Sequence, residues 1–467
     1  MQDASRIEVT RLLAEFAAGI DFENLPEEVR KRSRLFVLDG ISVMLAAVDF
    51  AARDDDHCLK HYLDAAAPPG PATIVGMKRK TTPMMASFAN GLLSEVLDYQ
   101  DSNLAAKLHP GTANIPATLA VSETSACRGR ELLAAVVAGY EVACRLGMAT
   151  QPAHWYSGFQ ATGTYNTCGA ATAAGRLLGF GIEDMVAALS IAGFVLPISH
   201  GDNIFKGHSA KPIHGGQSAT SGVSAAYLAH AGYRSGPLEG EAPRYHAPLR
   251  ILGTDDPNLE EAVRGIGTIW HSLEVGFKPF PIGHLNIGPV EICLDLMAER
   301  PIEVSRIESV KVRTFHDAWK FTGQKYTSIE SNYVDSHLSL PFTVAATLID
   351  GEMTLRQLAR TRLIDSALHD LASRVTVVPV EEMSQLFPHE WPVEVEIRLK
   401  DGEVRNKRID QVMWSPRRPP TWEAVAGKFL SSATPVIGEE RALRAIEFVA
   451  GIDDKPSVVP LLDLVAG

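Results

Sequence analysis

The chain has 467 residues, with 44 Lys and Arg against 56 Asp and Glu, for a formal charge of −12. With 46% hydrophobic and 21% charged residues, the composition is globular and excludes a disordered chain. The acidic total argues against a general nucleic-acid binder, which needs a basic face, but it allows a locally basic pocket for a small anion.

The start of the chain, Met1 to Leu12, carries Asp3, Arg6, Glu8 and Arg11 and is too polar for a signal peptide. Residues 5–50 pattern as two helices. Asn24 is placed to cap the second, with Pro26, Glu27 and Glu28 in its first turn, where the helix dipole favours negative charge. Val29, Leu35, Val37, Leu38 and Ile41 form its apolar stripe. From Thr82 to Gly232 the chain is rich in Ala, Gly, Ser and Thr, which predicts closely packed helices. The longest apolar stretch, Val186 to Ile198, is broken by Ser190 and Pro197 and is shorter than the roughly 20 residues that a membrane span needs. Five scattered cysteines with no CxxC pair suit a reducing compartment. These features predict a cytoplasmic protein with no membrane or nucleic-acid partner.

The pattern changes near Lys278. Arg306–Phe315 alternates like a half-buried strand, Arg374–Val380 is β-branched, and Val393–Ile409 alternates about an Asp401–Gly402 turn, a hairpin signal. Asp335–Asp350 and Thr354–Ser373 read as helices between them. After Pro416, Pro419 and Pro420 the pattern is helical again. The expected fold is α-rich with two domains. An all-helical bundle is built from both chain ends (1–278 and 413–467), and a smaller α+β domain (279–412) is inserted between them.

No GxGxxG opening a βαβ unit, P-loop, HExxH or GxSxG is present, so a reaction without a cofactor is the simplest enzymatic reading. Four segments carry reactive groups. Asp98 to Ser102 with His109-Pro110-Gly111 reads as a loop between helices, with Asp101 or Ser102 as an alternative helix cap. Gly158 to Tyr165 leads into a small-residue helix and is either an anion-binding helix start or an ordinary glycine-rich entry. His200 to Gly216 holds three histidines with Lys206 and Lys211. The lysines would repel a metal and no local carboxylate cluster balances them, so an anion pocket that includes Lys206, Lys211 and His214 is expected, with no metal. Phe277 to His284 is a proline-stiffened reach toward a cleft, or a linker.

Together these segments resemble the MmgE/PrpD family, whose members include methylcitrate dehydratase, cis-aconitate decarboxylase and iminodisuccinate epimerase. The matching residues run from Asn90-Gly91 and Leu97-Asp98-Tyr99 through His109-Pro110-Gly111, Ala138-Gly139-Tyr140-Glu141, Gly158-Phe159, Lys211-Pro212, His214-Gly215, Lys278-Pro279-Phe280-Pro281 and Leu338 to Phe342, as far as Gly427-Lys428-Phe429. The resemblance implies a homodimer with its active site between the two domains, lined by Asp98, Ser102, His109, Lys211 and Lys278. Two departures stand out: Gln160 where the dehydratase and decarboxylase pattern has His, and Phe342 where it has Tyr. Both remove a group suited to proton transfer. His154, Tyr156 and Tyr165 are the candidate replacements.

The expected activity is a hydro-lyase reaction on a small di- or tricarboxylic acid, without a cofactor. Lys211 and Lys278, with Lys206, would hold carboxylates and stabilise developing negative charge. His109 would move the proton, with Asp98 orienting it or acting as the base, and Ser102, Gln160 and His214 would bind substrate. The alternatives, in order, are a dicarboxylate epimerase, a decarboxylase of an aconitate-like acid, and a carboxylate-binding protein without turnover.

Overall fold

The computed structural model describes residues 7–54, 56–205, 207–241, 246–253 and 256–467. The chain is helix-rich with one small mixed sheet. The first two helices are Val9–Gly19 and Glu27–Arg53. Asn24 does not cap the second. It ends a 3-10 turn, Phe22–Asn24, and the cap position is Pro26, which offers no side-chain acceptor. The predicted stripe is buried as expected.

Helices Pro83–Glu95, Gly111–Ser122, Gly129–Thr150, Asn166–Leu177, Ile182–Phe194 and Ile213–His230 pack into a bundle. Glycine allows one of its close crossings. A Cβ on Gly91 would lie 2.6 Å from the Gly215 carbonyl oxygen, and one on Gly215 would meet the Gly91 carbonyl at the same distance. This contact brings Glu95, one turn beyond Gly91, against His214 and Lys211. By length and composition, Glu27–Arg53 and Gly129–Thr150 are apolar enough to cross a bilayer, but most of each lies inside the protein.

Strands β1 (Pro69–Thr73) and β2 (Lys80–Thr81) form a small antiparallel ladder. The larger sheet contains β3 (Ile307–Thr314), β4 (Val375–Pro379), β5 (Val393–Leu399) and β6 (Val404–Ile409), in the order β4-β3-β5-β6. β3 runs parallel to β4 and antiparallel to β5, and β5–β6 is the predicted hairpin, with Gly402 at φ +89°. Helix Ile287–Glu299 packs on β5 and β6.

The predicted helix Asp335–Asp350 is two helices, Tyr333–His337 and Leu340–Asp350. Leu338 ends the first and Ser339 caps the second, accepting from the Phe342 N–H at 3.2 Å. This break lodges the His337 carbonyl over the Gly283 N–H at 2.9 Å. Thr354–Ser373 is likewise broken, because Thr354 and Asp365 each start a new turn as caps. Helices Trp422–Ile437 and Glu439–Ala450 follow, and the first packs along Glu27–Arg53.

Candidate active site

Helix Pro83–Glu95 ends just before Asp98, which takes a left-handed backbone at φ +49°. Such conformations are rare outside glycine and concentrate at functional sites. The loop that follows is tied to the Phe277–His284 segment by paired Ser102 and Gly276 backbone bonds, each 2.9 Å. Phe277 stacks on Phe36 at 5.3 Å, fixing the base of Lys278.

A cavity of about 140 Å³ opens between the bundle and the sheet-bearing part. Asp98, Ser102, His109, Gln160, Lys211 and His214 line it from one side, and Gly283, His284, Thr322 and Leu338 from the other. Lys278 is fully buried behind Asp98. Lys206 lies outside the described residues.

The two lysines clamp one carboxylate. Lys211 Nζ lies 2.6 Å from Asp98 Oδ1 and 3.2 Å from Glu95 Oε2. Lys278 Nζ lies 2.7 Å from Asp98 Oδ2 and 2.7 Å from the Asp98 carbonyl oxygen. The unbalanced anion pocket expected from sequence is therefore corrected: Glu95 and Asp98 already match the two ammonium groups. Burial pushes the Asp98 and Glu95 carboxyls up, but the cations beside them overturn it and hold both well below the usual range. The lysines differ. Burial lowers Lys211, yet Asp98 and Glu95 together raise it above its ordinary value. Lys278 bonds only to Asp98, with Glu95 acting from farther off, and faces Lys211, so burial prevails and its affinity for a proton falls.

Asp98 makes no bond to His109, which corrects its expected orienting role, and so clamped it is a poor base. The His109 ring is oriented instead by the Asp101 carbonyl, which accepts from Nδ1 at 2.7 Å. Nε2 is then the basic nitrogen. Burial, with Lys278 nearby, lowers the His109 pKa to about 4, so the ring is neutral at pH 7. The Asp101 carboxylate accepts from Tyr140 OH at 2.7 Å and the Gly111 N–H at 2.9 Å. Burial raises its carboxyl to about 7 despite the Tyr140 bond.

His214 Nδ1 meets Ser199 Oγ at 3.1 Å. Its Nε2 is 3.1 Å from Glu95 Oε2, but without the geometry of a hydrogen bond. Ser102 Oγ bonds His284 Nδ1. Gln160 donates its backbone N–H to the Ser199 carbonyl at 2.9 Å, and its side-chain Nε2 is buried with no hydrogen-bond partner.

The N–H groups entering helix Asn166–Leu177 are bonded within the turn, to the Thr164 and Tyr165 carbonyls, which leaves no anion site there. His200 and His208 are exposed while His214 lines the cavity, so the three histidines do not converge. Among the described residues, no group of three His, Cys, Asp or Glu is placed to hold a metal. Phe342 is fully buried and does not line the cavity. The candidate replacements lie elsewhere. His154 is held by the Leu252 carbonyl and Thr164 Oγ1, Tyr156 is exposed, and Tyr165 is buried off the cavity. Sequence reading missed Glu95, His284 and His337. The last is fully buried, with neither ring nitrogen hydrogen-bonded. Glu95 sits three residues before Asp98, and His284 closes the segment that carries Lys278.

The MmgE/PrpD N-terminal domain model matches residues 11–244, and the C-terminal domain model matches 280–454. The chain belongs to the MmgE/PrpD family. This MmgE/PrpD chain is 25% identical to a cis-aconitate decarboxylase of Aspergillus terreus, over 98% of this chain and 95% of that one. It is 23% identical to the cis-aconitate decarboxylase of Homo sapiens, over 98% and 95% of the two chains. Both relatives are enzymes.

Four buried imidazoles and the half-buried ring of His109 shape the acid response of this MmgE/PrpD protein. Burial lowers His109, His154 and His271 to about 4, His337 to about 3, and His284 well below its ordinary value. Unfolding raises each toward about 6.5. Between these values the unfolded chain binds more protons, so this stability is present above pH 6.5 and is lost as pH falls through 4. Asp101 acts in the opposite sense. Its raised folded value favours the fold at low pH, and that support is lost as pH rises through 7. Asp101→Asn is therefore expected to steepen the loss of thermal stability from pH 6.5 to 4.5. An unchanged slope would exclude Asp101 as a titrating group in that window.

Proposed function

We propose that the protein is a lyase that needs no cofactor and acts on a small di- or tricarboxylic acid by proton transfer at the carbon beside a carboxylate. The observation that carries this reading is the neutral His109 ring, held through Nδ1, in the same cavity as the charged Lys211. His109 Nε2 takes the proton. The ammonium of Lys211, backed by Lys278, lowers the energy of the enolate-like charge that develops. Gln160, Ser102 and His214 hold carboxylate oxygens, and His284 is the second group for proton transfer. On this reading the cavity separates a helical body (1–278 and 413–467) from an inserted α+β unit (279–412).

Loss of water is the first reaction proposed, because a neutral imidazole is a base before it is an acid. Decarboxylation is the second, favoured by the relatives' activity. Incubation with hydroxy- and unsaturated polycarboxylates in deuterium oxide, followed by proton NMR and carbon dioxide release, separates them. New alkene supports the hydro-lyase and released carbon dioxide the decarboxylase. Deuterium uptake alone supports the epimerase. Acids that bind without exchange or product would leave a carboxylate-binding protein.

The base role also sets a pH profile. kcat/KM reports the free enzyme, so its acid limb is expected near pH 4, not 6.5. An acid limb at 6.5 would place the base on another group.

A further inference from the structure

Two consecutive carbonyls at the left-handed Asp98 turn are each held by a lysine. The Asp98 carbonyl accepts from Lys278 Nζ at 2.7 Å, and the Tyr99 carbonyl accepts from Lys428 Nζ at 2.9 Å. Lys428 Nζ also donates to the Lys278 carbonyl at 3.0 Å. These bonds close a ring. It runs from the Lys428 ammonium to the Lys278 backbone, along the Lys278 side chain to Asp98, and through the Tyr99 carbonyl back to Lys428. Lys428 comes from helix Trp422–Ile437 and does not line the cavity. Tyr99 adds a second tie between the same two segments, its OH donating to the Pro279 carbonyl at 3.2 Å.

Net charge is not what Lys428 brings to the clamp. Its ammonium lies 2.7 Å from Asp39 Oδ1, and both side chains are buried, so the two charges cancel locally. A buried ion pair is a poor source of stability, since apolar replacement of both members is often neutral or better. The pair does place donors at a fixed point between two segments of the site. A non-glycine residue in the left-handed region persists where its surroundings over-determine it, and the ring fixes Asp98 in this way.

We propose that Lys428 is a positioning residue. By joining the Tyr99 and Lys278 carbonyls it sets the distance between Asp98 and Lys278, and through Asp98 the place of Lys211 in the cavity. The effect on turnover rests on the lyase reading; the effect on the clamp does not.

Asp39→Asn/Lys428→Met and Asp39→Asn/Lys428→Gln, made in the full chain, test the inference. Both remove the two buried charges together. Gln and Met have similar reach, but only Gln carries N–H donors. Crystal structures of both variants read the clamp, and steady-state kinetics on the acid found active read its consequence. In the Met variant the Lys278 Nζ–Asp98 Oδ2 bond is expected to open. Its kcat is expected to fall about 10–10²-fold, with KM changed less than about threefold, because misplacement by about 1 Å away from the substrate can cost that much. The Gln variant is expected to keep the bond and recover most of kcat. A merely structural Lys428 would lower the unfolding temperature and leave kcat of the folded enzyme unchanged. A closed clamp in the Met variant overturns the inference and leaves the lyase reading standing. An open clamp with wild-type kcat overturns the positioning role in turnover. Absence of turnover with every acid in the wild-type chain overturns the lyase reading, and the two crystal structures then decide the inference by themselves.

Discussion

Lys428→Met is expected to destabilise the fold by about 3–5 kcal/mol, the range for removing one partner of a buried ion pair. Lys428 reaches from helix Trp422–Ile437 into the interior, and its ammonium makes three bonds there. It donates to Asp39 Oδ1 at 2.7 Å, to the Tyr99 carbonyl at 2.9 Å and to the Lys278 carbonyl at 3.0 Å. It also lies over the Tyr99 ring, 3.7 Å from its centre. Burial raises the Asp39 carboxyl and lowers the Lys428 ammonium even with the partner present, so the pair is costly to bury. Breaking it is costlier, because Asp39 would keep a buried charge with no cation and two carbonyls would lose their donor. Urea unfolding of the single variant measures the loss. Asp39→Asn/Lys428→Met removes both charges and is expected to recover most of it. A single-variant loss below about 1 kcal/mol would show that Lys428 does not compensate a buried charge.

His109→Ala is expected to lower turnover about 10²–10⁴-fold, the usual contribution of one proton-transfer group. The side chain is oriented by one backbone carbonyl. The His109 N–H donates to Thr162 Oγ1 at 3.0 Å, and the His109 carbonyl accepts from Asn166 Nδ2 at 2.7 Å. Those backbone bonds survive truncation to alanine, so the loop is expected to keep its path. Steady-state kinetics on the acid found active, with thermal unfolding as the control, separates a chemical loss from a folding defect. A drop of only a few fold with an intact fold would move the proton transfer to His284 or His337.

Legibility varied with how local each signal was. The hairpin β5–β6 was readable because its alternation and its Asp401–Gly402 turn lie within one stretch. The break at Leu338–Ser339 was less so, since a capping serine inside an apolar run competes with helical periodicity. Lys211 and Lys278 stood out as cations in apolar surroundings. Their carboxylate partners did not, because Glu95 and Asp98 are separated from Lys211 by 116 and 113 positions. Asn24 is a favoured cap residue by type, but it closes a 3-10 turn and the chain enters the helix through Pro26.

The residue pattern by itself determined the helix-rich fold, the small sheet and most of the reactive groups, because periodicity and family motifs are local properties of a chain. Tertiary structure alone decided which charges cancel. It paired Lys211 and Lys278 with Asp98 and gave His109 to the Asp101 carbonyl. Coulomb attraction and desolvation depend on distances of a few ångströms between groups far apart along the chain, and only packing sets those distances.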